Sequence, residues 1–226
     1  MADEFDEQVT SVAALGEPIR RELYRYVVAQ DGPVGREQAA AGVGVAHHVA
    51  KFHLDRLEAD GLLEVEYRRP PGRSGPGAGR PAKLYRRASR DIAVNLPDRR
   101  YDLAGRVMAE AITAAAQQGI PMTGALRDAA RAAGRALGER ARAQDGHRDL
   151  AGVLAENGYE PRVTADGVTL ANCPFHSLAD RYTDLVCGMN LDLIHGLLDV
   201  FGPAGLCARL DPAPGRCCVT IGAACG

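Results

Sequence analysis

The sequence predicts an α+β chain, and three observations carry that expectation. Early in the chain, three short amphipathic segments follow one another, the last two joined by a Gly-containing turn. Two alternating segments then flank a Gly/Pro-rich stretch, as in a β-hairpin. After an Ala-rich helical region, short strand-like and helix-like segments alternate around six cysteines that all lie beyond residue 172. This gives an N-terminal helix-turn-helix with a hairpin wing over residues 1–92, a helical dimerisation linker over 93–145, and a small C-terminal domain with an antiparallel sheet over 146–226.

Taken in order, Phe5, Val9, Val12 and Leu15 line up as one face of a first helix. Glu17-Pro18 suits a second helix start, since proline at the first helical position gives up no hydrogen bond. Ile19, Leu23 and Val27 form its apolar face, and Asp31-Gly32-Pro33 ends it. Residues 36–41 form a short Ala-rich helix, and Gly42 to Gly44 turn the chain into the next one. There Ala50, Leu54 and Leu57 form the apolar stripe, the opposite face carries His47, His48, Lys51 and Asp55, and Gly61 is the stop. A helix so built can rest on its domain while offering donors to a major groove.

Residues 63–68 alternate as a strand, residues 70–81 cannot be regular structure, and residues 82–86 form a second strand. The net charge of the chain is −2, which excludes a uniformly basic nucleic-acid binder. Yet Tyr67 to Arg90 hold eight basic residues and no acidic one. Such local density calls for a polyanion. His47, His48, Lys51 and Arg56 on the helix, with Arg68, Arg69, Arg73, Arg80 and Lys83 on the hairpin, are the candidate contacts to a double-stranded DNA operator.

These segments resemble the winged helix-turn-helix regulators of the ArsR-like superfamily. The resembling residues are LGEPIRRELYRYV (15–27), GVGVAHHVAKFHLDRLEADGLL (42–63) and GRPAKLYR (79–86). The resemblance implies a dimeric DNA-binding transcription factor. Residues 102–118 and 123–143 are expected helices, and Gly105, Gly134 and Gly138 would allow close helix approach, either within the chain or across a homodimer interface. The two-fold symmetry of palindromic sites favours the homodimer.

The C-terminal part is expected to hold a helix at 148–157, strands at 159–164 and 167–170 around Asp166-Gly167, helices at 177–186 and 189–201, and strands at 207–210 and 217–221. Cysteines clustered in a reducing compartment point to metal binding or redox chemistry rather than a disulfide framework. Thirteen residues separate Cys173 from Cys187, and twenty-nine separate Cys187 from Cys217. His176 follows Cys173 at C-x2-H. Thiolates at converging segment ends suit soft metals and clusters. The candidate ligands are Cys173, His176, Cys187 and Cys217, with Cys218 as the alternative to its neighbour, because adjacent strand residues would face opposite ways. Cys207 and Cys225 read as structural thiols, and His53 and His195 as structural histidines.

The run NCPFHSLA…LVCGMN…GRCCVTI behind such a head resembles the SufR-like iron–sulfur regulators. The resemblance implies a [4Fe-4S] or [2Fe-2S] cluster and a repressor. The chain departs from the family pattern where His176 stands near Cys173, which leaves zinc as the alternative cofactor. A small-ligand site, or a thiol-redox enzyme using Cys217-Cys218, are the competing functions. No catalytic triad, phosphate loop or paired carboxylates appear, so no enzyme is expected. No run is apolar enough to span a membrane, and MADEFDEQ lacks a signal's apolar core, so the expected compartment is the cytoplasm.

Overall fold

The structure is a computed structural model of the chain. It describes residues 2–69, 81–143, 149–165 and 167–223, with the side chains of residues 2–4 left aside. The chain divides into two compact units, Met1–Val94 and Asn95–Gly226.

In the first unit, α1 (Ala2–Ala14), α2 (Pro18–Val28), α3 (Arg36–Val43) and α4 (His47–Ala59) surround a three-stranded antiparallel sheet. Its strands are β1 (Val34–Gly35), β2 (Leu63–Arg68) and β3 (Ala82–Arg87), in the order β1-β3-β2. Glu17 caps α2, its carboxylate accepting from the N–H groups of Ile19 and Arg20, and Pro18 takes the first helical position. Gly44 ends α3 with φ +74°, a left-handed conformation that costs most side chains energy. Leu23, Val27, Ala50, Leu54, Leu57 and Tyr85 close the core. The stripe expected to bury α1 does not: Phe5, Val9 and Val12 are exposed. Ser11 and Ala14 turn inward instead, because Ser11 Oγ donates to the Asp60 carbonyl at 2.6 Å and accepts from Arg90 at 2.7 Å.

The second unit contains α5 (Tyr101–Gln118), α6 (Met122–Ala143), α7 (Leu150–Glu156), α8 (His176–Arg181) and α9 (Thr183–Phe201). Its strands β4 (Pro161–Thr164), β5 (Gly167–Leu170), β6 (Leu206–Leu210) and β7 (Val219–Ala223) form an antiparallel sheet ordered β4-β5-β7-β6. Residues 93–145 are not a separate linker. The faces of α5 and α6 lined by Val107, Ala130 and Leu137 share one core with Leu193, Leu197 and Val219. Gly134 and Gly138 are used inside the chain: a Cβ on Gly134 would overlap the Leu193 carbonyl oxygen, and one on Gly138 would crowd Val200 and Phe201. The missing side chains let α6 and α9 touch backbone to backbone. Of the three glycines, Gly105 alone has open space around it.

Two boundaries move. The helix break falls at Tyr182 rather than near Gly188, which lies inside α9. Cys217 and Cys218 lie in the loop before β7, not in a strand, so strand alternation does not govern where they point.

Candidate nucleic-acid interface and cysteine site

In the first unit, α4 presents His47, His48 and Lys51 to solvent. The residue before α4, Ala46, makes no side-chain cap, so the first-turn N–H groups lack a side-chain acceptor. Phosphate oxygens are ready acceptors for such groups. Arg36, Lys51, Tyr67 and Lys83 line one cleft between the helices and the loop end of the hairpin. Tyr67 is exposed on the outward part of β2, paired in register with Lys83.

Asp55 is not a groove contact. Its Oδ1 accepts from Lys83 Nζ at 2.8 Å and from the Tyr85 hydroxyl at 2.5 Å, and its carboxylate holds both a 2.8 and a 3.0 Å bond from Arg36. Burial pushes the Asp55 carboxyl up, but the bonds from Lys83, Tyr85 and Arg36 outweigh it and hold it at about 2. Burial and Asp55 together raise Tyr85 to about 12. Lys83 also bonds Glu58, and its side chain is 17% exposed. Lys83, a candidate DNA contact, is thus held by α4 carboxylates that lie 28 and 25 residues away in sequence.

Arg56 bonds Asp60 one turn on but remains half exposed. Arg68 pairs with Glu66 at 2.6 Å on the exposed hairpin, and Arg69 is exposed. Arg73 and Arg80 lie outside the described residues. His53 is buried and structural: its Nδ1 accepts from Arg20 at 3.5 Å and lies 3.6 Å from Glu17.

In the second unit, three segments supply four cysteines that stand as two pairs. Cys173 follows β5, Cys187 lies on α9, and Cys217 and Cys218 precede β7. Cys187 and Cys218 are joined as a disulfide, while Cys173 and Cys217 are free thiols. Interaction with the Cys217 thiol, with burial, pushes Cys173 well above the usual thiol range. The same interaction lowers Cys217, and the Val219 N–H and the Asn190 amide add to this against the opposing effect of burial. Cys217 is the most enclosed of the four, at 1% exposure.

The loops are pinned from outside. Arg99 donates to Asn172 Oδ1 at 2.5 Å and to the Cys173 carbonyl at 3.0 Å. Asn172 Nδ2 donates to the Gly158 carbonyl at 2.6 Å. The Cys217 N–H donates to the Leu170 carbonyl at 2.8 Å. Behind the sulfurs, the buried Tyr159 hydroxyl donates to Asn190 Oδ1 at 2.5 Å, and Asn190 Nδ2 donates to Cys217 Sγ at 3.3 Å. The sequence reading missed Asn190 and Tyr159. One signal was present: Asn190 interrupts the apolar run of α9 three residues after Cys187, on the same helix face.

His176 does not join the sulfurs. It is exposed, and its Nε2 lies 3.4 Å from Asp180 on its own helix. This corrects its reading as a ligand, since the first turn of α8 points the ring to solvent. Cys218, the alternative candidate, is bonded to Cys187. His195 Nε2 lies 2.9 Å from the Ala208 carbonyl, tying α9 to β6. Cys207 lies in β6, and Cys225 is outside the described residues. Among the described residues, no group of three or more His, Cys, Asp or Glu side chains is arranged to hold a metal ion. The four sulfurs stand as two pairs, and their chemistry suits a soft metal or cluster once Cys187 and Cys218 are thiols.

Residues 15–66 match a family model described as a helix-turn-helix domain. The match covers α2 to α4 and most of β2 and supports a DNA-binding transcriptional regulator. No curated protein and no solved structure matches the chain. Among the described residues, no helix is long and apolar enough to cross a membrane.

Proposed function

We propose that the chain is a homodimeric transcriptional repressor whose four converging cysteines hold an iron–sulfur cluster that sets its affinity for DNA. The two pairs Cys173/Cys217 and Cys187/Cys218, drawn from three segments and linked by the adjacency of residues 217 and 218, are the observation that supports this reading. An all-sulfur donor set, without carboxylate or imidazole, is the set iron–sulfur clusters take. When bound, the cluster supplies an oxidisable inorganic centre.

The chain's own residues do the rest. The four thiolates would hold the cluster from the β5 end, α9 and the β7 approach. Asn190 and the Val219 N–H direct hydrogen bonds at the Cys217 sulfur, which favours its thiolate form. Arg99 and Asn172 fix the loop that carries Cys173. To act as a switch, the occupied and vacant forms must favour different DNA-binding arrangements. A tenfold change in DNA affinity needs only about 1.4 kcal/mol of such preference. The exposed apolar stripe Phe5, Val9 and Val12 on α1 supports self-association.

Anaerobic reconstitution tests the proposal. Reduced protein takes up iron and acid-labile sulfide, turns brown, and loses the colour in Cys173→Ser. Stoichiometric zinc without sulfide would replace the cluster with a metal ion. In a reporter assay, the repressor reading expects expression from the target promoter to rise when the chain is deleted.

A further inference from the structure

Phe52 stands in an unusual place. It lies in α4 between Lys51 and His53, away from the stripe of Ala50, Leu54 and Leu57, and its side chain is 65% exposed. One helical turn separates it from His48 on one side and Arg56 on the other, both exposed and polar. No other large apolar residue of α4 is exposed. Its ring meets the His53 ring edge to face, with centroids 5.2 Å apart at 72°. His53 is itself buried and tethered to Arg20, so one edge of Phe52 rests on a fixed support while its far side is open.

An aromatic ring held outward among cationic side chains does not suit an apolar protein surface. It suits a polyanion that carries apolar groups between its charges. A DNA major groove offers that: the thymine C5-methyl is its apolar feature, and phenylalanine is among the side chains that contact it. The exposed Lys51 beside it supplies positive charge, and His47 and His48 supply ring N–H donors.

We propose that Phe52 is a specificity-determining residue that reads a thymine methyl group in the major groove. This rests on the DNA-binding reading of the first unit. It adds an apolar contact, independent of salt, to the phosphate contacts of the surrounding basic residues.

The test uses the full chain and a duplex it selects from a random library. Thymines in each half-site are replaced one at a time by deoxyuridine, which removes only the methyl group. Wild-type binding is expected to weaken about fourfold at one position per half-site, the worth of burying one methyl. Phe52→Ala should bind the unmodified duplex more weakly by a similar factor and be indifferent to deoxyuridine there. Phe52→Leu should keep part of the dependence. The salt slope should be the same in all three, and unfolding midpoints show whether the variants are folded. If Phe52→Ala remains as sensitive to the missing methyl as wild type, or wild type is insensitive at every thymine, the inference is overturned. It is also overturned if Phe52→Ala changes the oligomeric state, since the ring would then cover a protein partner. Failure to select any duplex would overturn the DNA-binding reading itself.

Discussion

Asn190 donates its amide to the sulfur of Cys217 at 3.3 Å while accepting the hydroxyl of Tyr159, so a fully buried polar chain ends on a thiol. Polar groups this enclosed are tolerated only when each finds a partner.

Asn190→Ala leaves the Tyr159 hydroxyl buried without its acceptor and should destabilise the protein by about 1–3 kcal/mol. Tyr159→Phe orphans only the Asn190 Oδ1 acceptor and keeps the Asn190 bond to Cys217, so it should cost less. Urea unfolding of both variants measures the difference. Equal losses would mean that the chain is not cooperative.

The Cys187–Cys218 bond should control cluster loading. Oxidised protein is expected to take up iron and sulfide only after a dithiol reductant opens that bond, giving two thiols and one molecule of oxidised reductant. Peptide mapping by mass spectrometry follows the crosslink while iron analysis follows loading. Uptake at the same level without reductant would remove the disulfide from the account.

Asp55 should give the first unit a distinct acid response. Its carboxyl is lowered from 3.8 to about 2, so its stabilising bonds are in full force above pH 4. They are lost as the pH falls through about 2. After allowance for its one-third exposure, the titrating part is on the order of 1–2 kcal/mol. The difference in unfolding free energy between wild type and Asp55→Asn should therefore shrink steadily below pH 4. A constant difference down to pH 2 would sink this assignment.

Lys51 and Lys83 line the same cleft but should separate in DNA binding. Lys51→Ala is expected to lower the slope of log affinity against log salt by about one. Lys83→Ala should leave the slope unchanged and lower the unfolding midpoint instead, because its charge is held by Asp55 and Glu58. Equal slopes for the two variants would contradict that division.

The glycines of the helical layer should also separate. Gly134→Ala drives a methyl into the α9 backbone and is expected to cost at least about 1–3 kcal/mol. Gly105→Ala faces open space in mid-helix and should be neutral or stabilising by up to about 1 kcal/mol. Thermal melts of the two variants decide it.

What the sequence could disclose was what is decided locally. Residues 63–68 and 167–170 alternate between turn signals, and β2 and β5 occupy those positions. The stripe of Ala50, Leu54 and Leu57 is buried as its spacing requires. The misread features depend on partners far along the chain. The gap expected between residues 186 and 189 is helical instead, since one helical glycine there costs only about 1 kcal/mol, less than α9 gains by packing on α6. Lys83 looked free because Asp55 and Glu58 are remote in sequence. The pairing of Cys173 with Cys217, and of Cys187 with Cys218, requires β5, α9 and the β7 approach to be assembled first. Spacing alone could therefore name the sulfurs but not match them.

The bonds from Asp55 to Arg36, Lys83 and Tyr85 have a mechanical outcome. They tie β3 and α3 to α4 through a single carboxylate. A displacement of the strand or of α3 is therefore passed to α4 through Asp55.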